Sequence, residues 1–141
     1  GQNSRLDELQ AAFLATKLPH LDRTNDARRQ IANRYLTEIF NPAIILPSVH
    51  PNCVPVWHIF AIRSNTRDKL ENYLNANGIG TNKHYPTPIH MQNAYSELNI
   101  PQGSLPFAEE ISKTELSLPM FYGMTEDQVT YIIDYINKFH I

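Results

Sequence analysis

Two prolines separated by one residue, Pro86 and Pro88, restrict the fold of this sequence more than any other feature. Each proline fixes its own φ angle and biases the residue before it towards an extended conformation, so this segment cannot be an α-helix. His84, Tyr85 and His90 lie on the same short stretch. Two imidazoles and a phenol with little conformational freedom suit ligand contact, because preorganised groups lose less entropy on binding. The segment is therefore predicted to be a binding loop.

Apolar residues at helical spacing predict two amphipathic helices near the start of the chain. The first helix is predicted to stop near Pro19, and the second before Pro42. The apolar faces consist of Leu6, Leu9, Phe13 and Leu14 in the first helix and of Ala27, Ile31, Tyr35 and Ile39 in the second. A short turn is expected to join them.

The middle of the chain is predicted to alternate between extended segments and one helix. Four prolines favour an extended connector at 42–55, and the β-rich run after it favours a first strand at 56–63. Thr66 is placed to cap the next helix, and Gly78 supplies the left-handed residue at which helices commonly stop. A second strand is expected at 79–84.

The last third of the chain contains a predicted helix at 106–113 and a predicted strand at 115–118. A capping box between Thr125 and Gln128 opens a final helix. The apolar stripe of that helix consists of Val129, Ile132, Ile133 and Ile136. Together the elements predict an α+β domain, in which helices pack on one face of a small, mostly antiparallel sheet and two helices lead in.

Charge and cysteine content exclude several classes of protein. A net charge of -2 and a pI near 6.3 give no basic footprint for nucleic acid. No apolar run reaches the roughly 20 residues of a membrane helix, so no membrane partner is expected and the domain is predicted to be soluble. Cys53 is the only cysteine, which excludes an internal disulfide and a cysteine zinc site and is typical of a reducing cytoplasm.

A metal site is not expected either. Six extended residues place His84 and His90 roughly 20 Å apart, and no third ligand lies close in sequence. The sequence also contains no glycine-rich phosphate loop and no serine nucleophile motif. The histidines are therefore interpreted as hydrogen-bonding groups.

Five motifs occur in a fixed order along the chain: residues 3–5 (NSR), 57–63 (WHIFAIR), 78–81 (GIGT), 84–90 (HYPTPIH) and 116–120 (LSLPM). In this order they resemble the C-terminal part of the DegT/DnrJ type of pyridoxal-phosphate-dependent sugar aminotransferases. The resemblance spans essentially the whole chain and implies the small C-terminal domain of a fold-type I enzyme that works as a homodimer. Within the family, the Trp-His and Tyr-Pro-x-Pro-x-His motifs look most like enzymes that aminate C3 of dTDP-linked 3-oxo-6-deoxyhexoses.

The resemblance implies roles for five residues, some of which have an alternative. Asn3 would reach the cofactor phosphate of the other subunit, or would only cap the first helix. Arg5 would pair with a substrate phosphate or with a carboxylate on its own helix. His84 and Tyr85 would line the nucleotide-sugar side of the pocket. His90 would do the same, or would pack on the following helix.

The resemblance also implies that most of the cofactor site lies outside these residues. In the family, a larger N-terminal domain supplies the Schiff-base lysine, the acidic partner of the pyridine nitrogen and most of the phosphate cradle. No lysine here sits in the family's lysine motif, and Lys83, next to the loop, is expected to be solvated. The chain begins at Gly1, and residues 1–141 are expected to be a C-terminal fragment that holds no cofactor and is inactive alone.

Two functions follow from this interpretation. With its N-terminal half, the chain would move an amino group from a donor such as glutamate onto a keto sugar nucleotide, in the biosynthesis of deoxyamino sugars and cell-surface polysaccharides. The alternative is a non-catalytic module, kept for association or left by a broken aminotransferase gene. An upstream reading frame with a lysine motif would favour the first function, and a stop codon there would favour the second.

Overall fold

The computed structural model describes residues 7–140. This part of the chain begins with two consecutive helices. Helix α1 comprises Glu8–Lys17 and helix α2 comprises Leu21–Glu38, with a single 3-10 turn at Leu18–His20 between them. The prediction of two leading helices joined by a short turn is confirmed. All residues of α2 that reach the core lie on one side of it, whereas α1 buries no residue.

Two short strands form the sheet. Strand β1 (Phe60–Arg63) pairs antiparallel with strand β2 (Glu115–Leu118), with Phe60 opposite Leu118 and Arg63 opposite Glu115. Isolated antiparallel bridges extend this ribbon at both edges, from Ile45 to Arg63 and from Asn82 to Ser117. The sheet is therefore small and antiparallel, as predicted.

Three helices follow the leading pair. Helix α3 is Arg67–Ala76, helix α4 is Pro106–Thr114 and helix α5 is Glu126–Lys138. Two 3-10 turns, at Ile89–Met91 and Asn93–Leu98, lie in the long connection between α3 and α4.

Side chains alternate across the two strands and give the sheet two different faces. Phe60 and Ile62 on β1 and Leu116 and Leu118 on β2 share the apolar face. The other face carries Ala61, Arg63, Glu115 and Ser117. Glu115 and Ser117 are buried although they are polar, so they require hydrogen-bonding partners inside the protein.

The core lies between the apolar face of the sheet and the helices. Helix α2 packs against α5, and α3 packs against β2. The buried apolar residues are Ile31, Ala32, Tyr35, Ile39, Ile44, Phe60, Ile62, Leu70, Leu74, Ile79, Leu116, Leu118, Val129, Ile132, Ile133, Ile136 and Phe139. The predicted stripe of α5 lies wholly within this set, and its capping box between Thr125 and Gln128 is present.

Three local predictions were wrong. Residues 56–59 precede the strand, and Trp57 has a φ of 50°, which no strand residue adopts. Residues 79–84 form one bridge at Asn82 in place of a strand. Thr66 occupies the first position before α3, but its hydroxyl faces Ser64 Oγ at 3.3 Å and does not bond the helix backbone.

Candidate functional site

The predicted binding loop leaves α3 at a glycine and then runs along the edge of β2. Gly78 has a φ of 74°, and the Ile79 N–H donates to Leu74 O at 2.9 Å, which closes the helix as predicted. Asn82 then exchanges backbone hydrogen bonds with Ser117, at 3.2 and 2.7 Å. This pairing places the next residues, including His84, over the polar side chains of β2.

His84 is held there by two residues of β2. Its backbone N–H donates to Glu115 Oε2 at 2.8 Å, and its Nδ1 lies 2.8 Å from Ser117 Oγ. The Ser117 hydroxyl donates in turn to Glu115 Oε1 at 2.5 Å. On the other side of the ring, Nε2 lies 3.3 Å from Asn82 Nδ2. The imidazole is thus half-buried and fixed through both of its nitrogens.

A cavity of about 290 Å³ lies beside this imidazole. The side chains on its wall that carry a polar or soft group are His58, Thr81, Asn82, His84, Ser117 and Met120. Thr81 Oγ1 is buried and has no hydrogen-bond partner among residues 7–140. A buried hydroxyl without a partner is costly, so it indicates a place where a bound polar group or a water would complete the site.

Tyr85 follows His84 on the loop and is largely exposed. Its ring meets the His84 ring edge to face, with the centroids 5.4 Å apart, and the side chain is 70% exposed. It also borders a second, mostly apolar cavity of about 570 Å³, which is lined further by Ile89 and Leu105. Tyr85 therefore touches the His84 ring, but it lines the second cavity and not the one beside His84.

His90 lies elsewhere. It is buried, and its Nε2 lies 3.1 Å from Glu109 Oε1 on α4. The same carboxylate oxygen accepts the Gly103 N–H at 2.7 Å. His90 therefore packs against the following helix, and it lines the second cavity rather than the one beside His84.

The Glu109 carboxylate stabilises the long connection that leads into α4. Burial raises the pKa of Glu109, but the bonds from Gly103, His90 and Leu105 outweigh it and hold the pKa below its ordinary value of 4.5. A carboxyl with a lowered folded-state pKa stabilises the fold above its ordinary pKa, and this contribution is lost as the pH falls towards the folded-state value.

Glu109→Ala is therefore expected to lower the free energy of unfolding by about 1–3 kcal/mol near pH 7, because it leaves the buried His90 ring and the partly buried N–H groups of Gly103 and Leu105 without their partner. Urea titrations should show the difference from the parent chain shrinking as the pH falls below 4.5. The neighbouring Glu110→Ala is the control, since that carboxylate is 58% exposed in a surface pair with Arg63 and is worth at most about 1 kcal/mol. Equal costs for the two variants would contradict this prediction.

Lys83 is ion-paired rather than solvated, which corrects the sequence prediction. Its Nζ lies 2.6 Å from Glu71 Oε2 and 3.3 Å from Asp68 Oδ1. The bond to Glu71 is the main cause that raises the pKa of Lys83. A Schiff-base lysine must lose its proton readily, so this environment does not suit Lys83 to that role.

Some predicted site residues lie outside the described part of the chain, and some site residues were missed. Asn3 and Arg5 precede residue 7, where the described part begins. The pair Glu115 and Ser117 was interpreted only as part of a strand. Their spacing of two residues places them on one face, so the strand alternation was the signal that could have found them.

Two further properties concern residues 7–140 as a whole. Within this range, no helix is long and apolar enough to cross a membrane. The same residues contain no group of three or more His, Cys, Asp or Glu side chains that could hold a metal ion.

Comparison with known sequences identifies a protein family that this chain matches. The model of the DegT/DnrJ/EryC1/StrS aminotransferase family matches residues 1–137. A curated relative, the dTDP-3-amino-3,6-dideoxy-alpha-D-galactopyranose transaminase of Aneurinibacillus thermoaerophilus, is 44% identical over 139 residues, which cover 99% of this chain and 38% of that protein. The chain spans 37–38% of the length of the first curated relatives that it matches.

Solved structures agree with this assignment. The chain matches S. venezuelae DesV in complex with a ketimine intermediate with a TM-score of 0.93 and 43% identity, over 98% of this chain and 38% of that one. It matches ntda from Bacillus subtilis, solved with bound cofactor PMP, with a TM-score of 0.82 and 28% identity, over 96% and 33% of the two chains. The resemblance seen in the motifs is confirmed, and the chain belongs to the DegT/DnrJ/EryC1/StrS aminotransferase family.

Proposed function

We propose that this chain is the C-terminal part of a pyridoxal-phosphate-dependent enzyme that transfers an amino group from glutamate to C3 of a dTDP-linked 3-oxo-6-deoxyhexose. The observation that carries the proposal is the match along 99% of the chain to a relative named as a transaminase of such a sugar. The biosynthesis of deoxyamino sugars for cell-surface polysaccharides is the proposed setting. A cytoplasmic location is proposed with it, since the exposed thiol of Cys53 suits a reducing compartment.

The described residues suit contact with the substrate better than covalent attachment of the cofactor. Lys83 is paired with two carboxylates and does not suit a covalent bond to the cofactor. The cavity beside His84 instead offers an imidazole and the hydroxyl of Thr81, which has no hydrogen-bond partner among residues 7–140. Hydroxyl and imidazole groups are matched to the hydroxyls of a sugar. We therefore assign the sugar side of the pocket to this cavity and the Schiff-base lysine to chain outside residues 1–141.

The other proposed roles depend on a complete homodimer. Tyr85 would contact the nucleotide part of the substrate, because its phenol is exposed next to the His84 ring. Asn3 would bond the cofactor phosphate of the other subunit, and Arg5 a phosphate of the substrate. His90 would support the loop from behind through Glu109. The isolated chain is not expected to bind the cofactor or to transaminate.

A chimaera tests this function. This chain replaces the matched 38% of the Aneurinibacillus thermoaerophilus transaminase, and the product is incubated with cofactor, glutamate and a dTDP-linked 3-oxo-6-deoxyhexose. We expect mass spectrometry to detect the aminated sugar nucleotide with the chimaera, and no product with this chain alone. A folded, cofactor-bound chimaera that aminates no sugar would favour the alternative, a non-catalytic association module.

Borohydride reduction of the same chimaera locates the covalent cofactor bond. Reduction fixes an imine between cofactor and lysine, so peptide mass analysis should place the adduct in the segment taken from the relative. The isolated chain, treated in the same way, serves as the control and should give no stoichiometric adduct. A single, stoichiometric adduct on Lys83 would contradict the assignment of the lysine to chain outside these residues.

A further inference from the structure

A continuous row of hydrogen bonds runs from a buried carboxylate to the imidazole beside the cavity. Glu115 is 4% exposed and Ser117 is 5% exposed, so neither side chain is satisfied by solvent. Both Glu115 oxygens are occupied, one by the Ser117 hydroxyl and the other by the backbone N–H of His84. Two arginines flank this residue, since the Arg67 guanidinium donates to the backbone carbonyl oxygen of Glu115 at 3.1 Å and Arg63 lies opposite Glu115 in the sheet.

This row determines which nitrogen of His84 carries a proton. A serine hydroxyl has one hydrogen, and Ser117 gives it to Glu115 at 2.5 Å. Ser117 Oγ can then only accept from the imidazole, whose Nδ1 lies 2.8 Å away. Nδ1 must therefore carry a hydrogen.

Asn82, on the other side of the ring, independently indicates which nitrogen of His84 carries the hydrogen. Its Oδ1 accepts the Lys83 backbone N–H at 2.8 Å, which fixes the orientation of the amide. The Nδ2 group, a donor, consequently faces His84 Nε2 at 3.3 Å. A donor in that position favours an Nε2 without a hydrogen, as in the Nδ1–H tautomer of imidazole.

The bond from Asn82 is longer than the usual 2.9–3.0 Å, and Asn82 is exposed. Nε2 therefore keeps an electron pair that a better placed donor in the cavity can take. A neutral imidazole of this tautomer can accept a hydrogen bond at Nε2 but cannot donate one to a phosphate oxygen.

We propose that Glu115, acting through Ser117, is a positioning residue that fixes His84 as a hydrogen-bond acceptor for a hydroxyl of the sugar. Glu115 and Ser117 do not themselves touch the substrate in this proposal. The identity of the ligand as a sugar rests on the proposed function, whereas the state of His84 is a property of this chain alone. His84 thereby selects a donor group and rejects an anionic oxygen.

Nitrogen NMR of the 141-residue chain, labelled with ¹⁵N-histidine at pH 7.5, tests this inference directly. We expect the His84 ring to show a protonated Nδ1 and an unprotonated Nε2, with His84→Gln identifying its signals among the six histidines. A protonated Nε2 in the parent chain, whether in the other tautomer or in the imidazolium, would overturn the proposal. This measurement on the parent chain does not depend on any substitution at Ser117 or Asn82 folding.

Three substitutions separate positioning from mere packing. Ser117→Ala should weaken the preference for the Nδ1–H tautomer, because only the long bond from Asn82 then favours it, while Ser117→Thr keeps the hydroxyl and should preserve the preference. Asn82→Asp replaces the donor facing Nε2 by an acceptor, so the fraction of His84 with a hydrogen on Nε2 should rise at the same pH. An unchanged His84 spectrum in folded Ser117→Ala would show that Ser117 does not set the tautomer.

These outcomes are separate from those that test the aminotransferase function. The spectra need neither cofactor nor sugar, so an inactive chimaera would leave the tautomer result intact. Conversely, an active chimaera together with a protonated Nε2 in the parent chain would overturn only the role assigned to Glu115. In the active chimaera, Ser117→Ala should raise KM for the sugar more than it lowers kcat, since it weakens the hydrogen bond that His84 accepts from the sugar without changing a group at the reacting atoms.

Discussion

Asn41→Asp is expected to lower the free energy of unfolding by about 3–5 kcal/mol at pH 7.5, the cost of an uncompensated buried charge. Asn41 is 7% exposed, and its Nδ2 group donates to Ile136 O and Phe139 O, both at 2.7 Å. An aspartate would direct an anionic oxygen at these two carbonyls. Since a domain is stable by only about 5–15 kcal/mol, much of the stability of the chain would be lost.

The stability of the Asn41→Asp variant should depend on pH in a defined direction. Burial and two facing carbonyl oxygens raise the folded-state pKa of the new carboxyl above its unfolded value. The variant is then least destabilised below the unfolded pKa, where the carboxyl is neutral and can donate, and its stability falls as the pH rises through the folded-state pKa. Urea titrations of the variant and the parent chain at pH 4 and pH 7.5 measure this difference.

Asn72→Asp is the matched control, because Asn72 is exposed on α3 and its replacement should change stability by no more than about 0.5 kcal/mol. If Asn41→Asp lost less than about 1 kcal/mol at pH 7.5, or lost the same amount at both pH values, the hydrogen bonds to the end of α5 would not be the reason for the asparagine.

Phe60→Ala is expected to cost a similar amount, about 3–5 kcal/mol, through lost burial and a cavity in the core. Phe60 is fully buried, meets the Tyr35 ring edge to face with the centroids 5.0 Å apart, and lies 5.1 Å from the Trp57 ring. Its removal would separate β1 from α2. Differential scanning calorimetry should show Tm lowered by roughly 10 °C or more for a domain of this size.

Phe107→Ala provides the control for the chemistry of the substitution. Phe107 lies on α4 and is 81% exposed, so its truncation should change stability by no more than about 0.5 kcal/mol. Similar Tm shifts for the two variants would mean that the layer formed by Phe60, Tyr35 and Trp57 does not hold the sheet to the helices.

Helix positions were predictable because the interactions that define them are local. The capping box of α5 joins residues three apart, and its stripe from Val129 to Ile136 follows from helical periodicity alone. Gly78 stops α3 for the same kind of reason, since only its own φ angle is involved. The extended strand expected at 79–84 failed because strand pairing needs a partner, and β2 offers this segment a single bridge at Asn82.

The candidate site, like the fold, has one part that was predictable from the sequence and one part that was not. The sequence by itself determined that His84 and Tyr85 lie together on a proline-restricted loop, since φ restriction and adjacency are local properties. Only the tertiary structure placed Glu115 and Ser117 against His84, across 31 and 33 residues, and separated His90 by bonding it to Glu109. A buried polar group must find its partner wherever the folded chain supplies one, and hydrophobic and helical periodicity carry no information about that pairing.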